Sequence, residues 1–139
     1  IRFKRVFLEK NSYDFSFSGL KTAVLNHINN AHQKEEEINR ADVAASFQQA
    51  VIDGVCQKAV EAAVEMKHGK LALAGGVASN SKLREELKLR CDRENIELYI
   101  PPASLCTDNG AMIGCAAYYK YKEGQTGDWY MDAHANLPF

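Results

Sequence analysis

The segment from Leu71 to Ile100 constrains the fold of this chain more than any other, because two short apolar runs flank a helical pattern. The first run, Leu71-Ala72-Leu73-Ala74, is wholly apolar and predicts a β-strand that is covered on both faces. After a glycine turn, apolar residues recur at every fourth position to about Glu94, which predicts a helix. Residues 97–100 predict a second strand. The segment is therefore typical of a βαβ unit with parallel strands and a right-handed crossover.

Helical patterns precede this unit. Ser18 is a candidate N-cap for a helix that reaches about Ala31. A longer helix is predicted from about Ala41 to Lys67, with Asn39 or Asp42 as its cap. Its apolar residues recur three or four positions apart and predict one buried face, formed by Phe47, Val51, Val55, Ala59, Ala62 and Met66.

One glycine lies inside the same long helix and another follows its end. Gly54 lies in the helix interior, where glycine is unfavourable, so we expect another element to pack closely there. Gly69 is at a plausible C-cap position after the last turn.

The residues after the second strand predict a loop, a small-residue helix and a tail. The helix spans about 110–119, and its glycines and alanines allow neighbours to approach closely. The tail, 124–139, has no periodicity and is expected to pack as irregular coil through Trp129, Tyr130, Leu137 and Phe139. The predicted fold class is α/β, helix-rich with a short parallel sheet.

The composition indicates which broad class of protein this is. The chain has 139 residues, of which 46% are hydrophobic and 25% charged, as in an ordinary globular domain. No apolar stretch approaches the roughly 20 residues that span a bilayer, so we expect a soluble, cytoplasmic protein. The net charge of -1 provides no global basic field, so nucleic acid would need a local patch or partner subunits. The scattered cysteines, without a C-x-x-C pair, predict reduced and buried thiols, although Cys106 lies in a loop.

The first candidate site is the glycine turn after the first strand. Ligands of α/β sheets bind where strands end and helices begin, and Gly75 and Gly76 would let the chain approach a ribose or phosphate closely. The alternative is a simple tight turn, because the pattern is neither G-x-G-x-x-G nor a P-loop. Asn80 has the same two interpretations, as a helix N-cap or as an amide that faces a ligand.

The second candidate site is the helix start at Thr107-Asp108-Asn109-Gly110. Asp108 could cap the helix or ligate a metal ion. The histidines His27, His32, His68 and His134 contain no i, i+4 pair, so the sequence shows no complete metal site. Lys21, near Ser16 and Ser18, could reach a phosphate, or it faces solvent.

Three stretches together resemble one family. They are Asp14-Phe15-Ser16-Phe17-Ser18-Gly19-Leu20-Lys21-Thr22, Leu73-Ala74-Gly75-Gly76-Val77-Ala78-Ser79-Asn80 and Cys106-Thr107-Asp108-Asn109-Gly110-Ala111-Met112. In order and separation they are similar to the tRNA N6-adenosine threonylcarbamoyltransferases, formerly described as glycoproteases or O-sialoglycoprotein endopeptidases. The resemblance covers most of residues 8–120 and implies part of an actin-like, Hsp70-type ATPase fold with RNase H-like lobes.

The resemblance also implies an activity. Family members transfer the threonylcarbamoyl group from threonylcarbamoyl-adenylate to N6 of the adenosine 3′ of the anticodon, in tRNAs reading codons that start with A. By resemblance, Asn80 contacts the adenylate with Gly75 and Gly76, and Asp108 ligates one divalent metal, iron by the family pattern, with zinc or magnesium as alternatives. Other subunits of the threonylcarbamoyladenosine-synthesis complex are the implied partners.

The resemblance places residues 1–139 in the carboxy-terminal portion of such an enzyme, and the chain begins with Ile1 like an excised fragment. The family's amino-terminal lobe, with its H-x-x-x-H pair, would lie outside it, so we expect no transfer by this chain alone. Two other readings differ in class. One is a catalytically silent lobe that binds a nucleotide or a partner. The other is a metalloprotease, which the absence of an H-E-x-x-H motif disfavours.

Overall fold

The computed structural model describes residues 1–3, 12–14 and 16–133. In chain order the described elements are α1 (Ser18–Gln33), α2 (Arg40–Glu65), β1 (Lys70–Ala72), α3 (Ser81–Arg93), β2 (Glu97–Tyr99) and α4 (Gly110–Lys122). This helix-rich α/β architecture with a short parallel sheet confirms the predicted fold class. The predictions for Phe15, His134, Leu137 and Phe139 lie outside the described residues.

Asparagine side chains begin three of the helices. Asn39 caps α2, because its Oδ1 accepts hydrogen bonds from the backbone N–H of Ala41 at 3.0 Å and of Asp42 at 3.3 Å. The same residue type precedes α3 and α4. The prediction of Ser18 as the cap of α1 is wrong. Phe17 holds the cap position, already in a helical conformation, and Ser18 is the first residue of the helix.

Left-handed residues end the first three helices. Glu35, Lys67 and Asn95 have φ of 56°, 56° and 55°, respectively. The backbone N–H of the residue after each of them donates to a carbonyl oxygen in the last turn of the helix. For α2, His68 N donates to the carbonyl oxygen of Ala63 at 2.8 Å. The expectation of Gly69 at the C-cap of α2 is wrong, because the helix ends at Glu65 and Lys67 makes the turn.

Two apolar clusters pack on different parts of α2. The larger one joins α2 to α3, and its buried members are Ile52, Cys56, Ala63, Leu83, Leu87, Cys91 and Ile96. The smaller one joins α1 to the first half of α2 through Phe3, Leu20, Val43 and Ala50. The predicted four-residue spacing of α3 is confirmed, because Leu83, Leu87 and Cys91 are all buried.

The single buried face predicted for α2 is wrong. Phe47, Val51, Val55, Ala59 and Ala62 are only half-buried and Met66 is exposed. The reason is that α1 and α3 cover different faces of the helix, so no single stripe is buried along its length. The predicted close neighbour at Gly54 is also absent, since, apart from the adjoining residues and backbone of α2 itself, no described atom would lie within 4 Å of a Cβ there.

The two strands pair in parallel, as predicted, with Leu71 opposite Leu98. They are shorter than the apolar runs, and the prediction that β1 is covered on both faces is wrong for this chain. Lys70 and Ala72 are exposed, whereas Leu71 packs half-buried against the larger cluster. In the described part of the chain, packing therefore covers one face of β1.

Among the residues that the structure describes, α4 and the segment after it, to Ala133, contribute no member to either cluster. Every residue of α4 is exposed, including Met112, Ile113, Tyr118 and Tyr119, and Gly114 has open space where a Cβ would lie. The tail was expected to pack, but Trp129 and Tyr130 are fully or nearly fully exposed. Gly110 and Gly114 of α4 thus have no close neighbour within the described residues, so the close approach that these small residues would allow is not used there.

Candidate functional site

The two predicted loops lie at the same edge of the sheet. Ala72 pairs with Tyr99 at the end of the ladder, and Leu73 N donates to the carbonyl oxygen of Tyr99 at 2.9 Å. Because the strands are parallel, the loops that follow them leave from one edge, where α/β folds bind ligands. The loops also lie close together, because a Cβ added at Gly76 would be 3.8 Å from Cγ2 of Thr107. Two motifs 28 residues apart, counted from Asn80 to Asp108, therefore share one place in the fold.

The glycine loop is a tight and well-bonded turn. Gly75 has φ of 88° and ψ of 170°, a conformation that side-chain-bearing residues rarely adopt. A short 3₁₀ helix, Gly76–Ser79, follows and is closed by a hydrogen bond from Ala78 N to the Gly75 carbonyl oxygen at 2.9 Å. Gly75 and Gly76 are both exposed. The tight-turn interpretation therefore holds, and the exposed backbone leaves room for a ligand beside it.

Asn80 is the N-cap of α3 and also faces α2. Its Oδ1 accepts from Leu83 N at 3.1 Å, which satisfies one of the free donors at the helix start. Its Nδ2 donates to Oε1 of Gln48 at 3.3 Å. The two bonds orient the amide, with Oδ1 toward Leu83 N and Nδ2 toward Gln48. One Nδ2 hydrogen remains to donate to a ligand. Capping and ligand binding are therefore compatible roles for this residue.

In the second motif, Thr107-Asp108-Asn109-Gly110, the capping residue and the candidate metal ligand are different residues. Asn109, not Asp108, caps α4, because its Oδ1 accepts from Met112 N at 2.9 Å. The Asn109 amide also donates to the Thr107 carbonyl oxygen at 2.9 Å and so braces the loop. The capping interpretation of Asp108 is wrong. Its carboxylate is exposed and has no hydrogen-bond or ion-pair partner in the described residues.

Arg84 joins the two loops and was not predicted from the sequence. Its Nε donates to the Ala78 carbonyl oxygen at 2.5 Å, and its Nη2 donates to the Pro101 carbonyl oxygen at 2.7 Å. The same Nη2 lies 3.0 Å from Sγ of Cys106. An arginine one turn into a polar helix looks like a surface residue in the sequence, so no local signal distinguished it.

The remaining candidate residues do not add to this edge. Lys21 is exposed on the first turn of α1, which agrees with the solvent-facing interpretation. Across residues 1–3, 12–14 and 16–133, no three metal-binding side chains of His, Cys, Asp or Glu come together.

The prediction of buried cysteines is correct for three of the four. Cys56, Cys91 and Cys106 are buried, the last despite its loop position, whereas Cys115 is exposed, contrary to the prediction. None of the helices in the described residues has the length and apolar character to cross a membrane.

Comparison with known proteins decides the family. The model of the tRNA N6-adenosine threonylcarbamoyltransferase family matches residues 1–115, which include both loops. The chain belongs to this family. A threonylcarbamoyltransferase of Clostridium botulinum (strain Kyoto / Type A2) is 50% identical over 137 residues. Those of Staphylococcus haemolyticus and Moorella thermoacetica are 51% and 49% identical over 135 and 138 residues.

The similarity to these threonylcarbamoyltransferases covers nearly all of this chain but less than half of each relative. The alignment with the Clostridium botulinum protein includes 99% of this chain and 40% of the relative. The Staphylococcus haemolyticus protein gives 97% and 40%. The chain therefore spans about 40% of the length of the curated relatives that it matches.

Proposed function

We propose that this chain supplies the adenylate-binding part of a tRNA N6-adenosine threonylcarbamoyltransferase. The whole enzyme would transfer threonylcarbamoyl from threonylcarbamoyl-adenylate to N6 of the adenosine 3′ of the anticodon, in tRNAs reading codons that start with A. The observation that carries the proposal is that the glycine loop and the loop of Asp108 lie together at the carboxyl edge of the parallel sheet. The family to which the chain belongs supports the same reaction.

The glycine loop would bind the adenosine part of the adenylate. The backbone at Gly75 and Gly76 is exposed, and no side chain stands between it and a ribose or phosphate. The Asn80 amide has its oxygen committed to the helix cap, so it would contact the ligand as a donor through Nδ2. Ribose hydroxyls and phosphate oxygens accept such a hydrogen bond.

Asp108 fits the role of a metal ligand, because its carboxylate is exposed and is not used to cap α4. Oxygen ligands of this kind suit divalent cations. By resemblance to the family the metal would be iron, with zinc or magnesium as alternatives. No second and third ligand accompany Asp108 in the described residues, so they would come from elsewhere in the enzyme. When bound, such a metal supplies positive charge beside the phosphate and carbamoyl oxygens.

The reaction is an acyl transfer that needs positioning rather than an enzyme nucleophile. The exocyclic amine attacks the carbamoyl carbon, a C–N bond forms, the bond from that carbon to the phosphate oxygen breaks, and AMP leaves. The amine loses one proton in the process. Residues at this edge would hold the adenylate so that the tRNA adenosine reaches the carbonyl, which is an orientation effect. Other subunits of the modification complex would help to bind the tRNA, and the enzyme would act in the cytoplasm.

Titration of the 139-residue chain with AMP tests the binding role. Asn80→Ser retains an oxygen that can cap α3 but loses the amide donor, so we expect weaker AMP binding with little change in thermal stability. Asn39→Ser makes the same change at the cap of α2 and is the matched control, which should bind AMP like the wild type. Equal affinity of the wild type and Asn80→Ser would contradict the assignment of Asn80.

The chain alone is proposed not to transfer threonylcarbamoyl, because Asp108 lacks further metal ligands in the described residues. The measurement is nucleoside mass spectrometry of tRNA incubated with the purified chain and threonylcarbamoyl-adenylate. Modified adenosine in that tRNA would contradict this part of the proposal.

A catalytically silent lobe is the alternative, and the same titration separates the two. If the wild type binds no AMP, the edge is a scaffold or a partner-binding surface in this chain. A metalloprotease has no support in the described part of the chain, where no three metal-binding side chains of His, Cys, Asp or Glu come together.

A further inference from the structure

We propose that Arg84 is a positioning residue that sets the distance between the glycine loop and the loop of Asp108. The inference rests on the proposed function of this edge and extends it to a side chain whose partners are Ala78, Pro101 and Cys106 rather than the proposed binding residues. Its basis is that one guanidinium bonds to both loops at once.

The two loops have little else to hold them together. Their strands pair only over Lys70–Ala72 and Glu97–Tyr99, so the ladder ends before either loop begins. No hydrogen bond joins residues 75–80 directly to residues 101–109, a part of the chain that the structure describes completely. Near the site the loops lie close together, because a Cβ added at Gly76 would be 3.8 Å from Cγ2 of Thr107. The Arg84 side chain is therefore the polar connection between them.

The partners of Arg84 are themselves well placed to transmit its position. Ala78 is fully buried at the centre of the short 3₁₀ helix that follows Gly75. Cys106 is 5% exposed and lies two residues before Asp108. The Cys106 thiol also lies 3.5 Å from the Pro102 carbonyl oxygen, to which it can donate. A shift of the guanidinium would thus move both loops rather than a free surface segment.

Arginine is needed here because the acceptors lie in different directions. The planar guanidinium presents several N–H groups in a fixed arrangement, and Nε and Nη2 each reach a different backbone carbonyl. A lysine ammonium would retain the charge, but a single nitrogen cannot occupy both donor positions. Arg84 is also anchored on α3, whose buried residues Leu83 and Leu87 fix the helix against α2. The connection therefore starts from the rigid core.

Hydrogen–deuterium exchange of the full chain tests this role. In Arg84→Gln we expect faster exchange in peptides that cover 75–80 and 103–109, with exchange in α2 unchanged. Arg84→Lys should give an intermediate increase. The control is Arg93→Gln, at the exposed end of the same helix, which should leave both loops as in the wild type. Exchange in the two loops of Arg84→Gln that equals that of Arg93→Gln would overturn the proposal.

AMP titration of the same variants provides the second measurement. We expect Arg84→Gln to weaken AMP binding about tenfold and Arg84→Lys to restore part of it, at temperatures where each variant is folded. If Arg84→Gln does not fold, Arg84→Lys decides, and wild-type exchange together with wild-type affinity in that variant would overturn the proposal. If the wild type binds no AMP, the proposed function is contradicted. The role of Arg84 is then decided by the hydrogen–deuterium exchange of Arg84→Gln compared with Arg93→Gln.

Discussion

Gln48 on α2 accepts a hydrogen bond from the Asn80 amide at 3.3 Å, although 32 residues separate them. This bond and the cap bond to Leu83 N leave the Asn80 side chain one orientation that satisfies both. Gln48 is itself exposed. A residue on the long helix thus orients an amide at the candidate binding edge, and the contact joins the first half of the fold to that edge.

Gln48→Ala is expected to weaken AMP binding about threefold, because the Asn80 amide loses the partner that orients it. The stability should change by less than about 0.5 kcal/mol, as is usual for an exposed side chain. Isothermal titration and urea unfolding measure the two effects. Gln57→Ala removes another glutamine of α2 that bonds only to Glu61 among the described residues, and it should bind AMP normally. Identical affinities of the two variants would contradict the role of Gln48.

Arg90→Ala is expected to lower the free energy of unfolding by about 2 kcal/mol. The Arg90 guanidinium lies 3.1 Å from Oδ1 of Asp53, whose side chain is only 9% exposed, and 2.8 Å from Oε1 of Glu86. Loss of the arginine removes the guanidinium charge beside the buried carboxylate of Asp53, and the hydrogen bond that Gln49 Nε2 donates to the same oxygen at 3.0 Å does not replace that charge. Urea unfolding at neutral pH is the measurement.

Lys88→Ala is the matched control on the same helix. Its partner is Asp92, and both side chains are more than half exposed, so the ion pair should contribute less than about 0.5 kcal/mol. A loss of stability as large as that of Arg90→Ala would show that burial does not distinguish the two pairs.

Lys67→Gly is expected to stabilise the chain by about 0.5–1 kcal/mol. Lys67 adopts φ of 56° at the end of α2, where a side chain is strained and glycine is not. Asn95→Gly changes the equivalent residue after α3, but asparagine tolerates this conformation better, so the gain should be smaller. Thermal unfolding compares the two. Destabilisation by Lys67→Gly would contradict the left-handed end of α2.

Alkaline pH should destabilise the fold through Cys56. Burial raises the pKa of the Cys56 thiol from 9.0 to about 11. The folded state therefore favours the protonated thiol, and this contribution is complete below pH 9 and is lost as pH rises toward about 11. Cys56→Ala should be less stable at pH 7 because of the cavity, yet its stability should fall less between pH 9 and pH 11. Parallel decline of both proteins over that range would contradict the prediction.

The local pattern of the sequence determined several features correctly. The parallel βαβ unit, the apolar spacing of α3 and the cap at Asn39 follow from strand length, helical periodicity and hydrogen-bonding side chains, all of which act within a few residues. The motifs around Asn80 and Asp108 likewise identified the family that the comparison confirms. Short-range chemistry is sufficient for these conclusions.

Tertiary structure decided the rest. The buried face of α2 depends on α1 and α3, which cover different sides of it, and its periodicity could not indicate that. The assignment of the α4 cap to Asn109, which leaves Asp108 unused, depends on the backbone conformation at the helix start. The connection of the two loops through Arg84 and the contact of Gln48 with Asn80 join residues distant in sequence. Only the folded chain brings such donors and acceptors within hydrogen-bond distance.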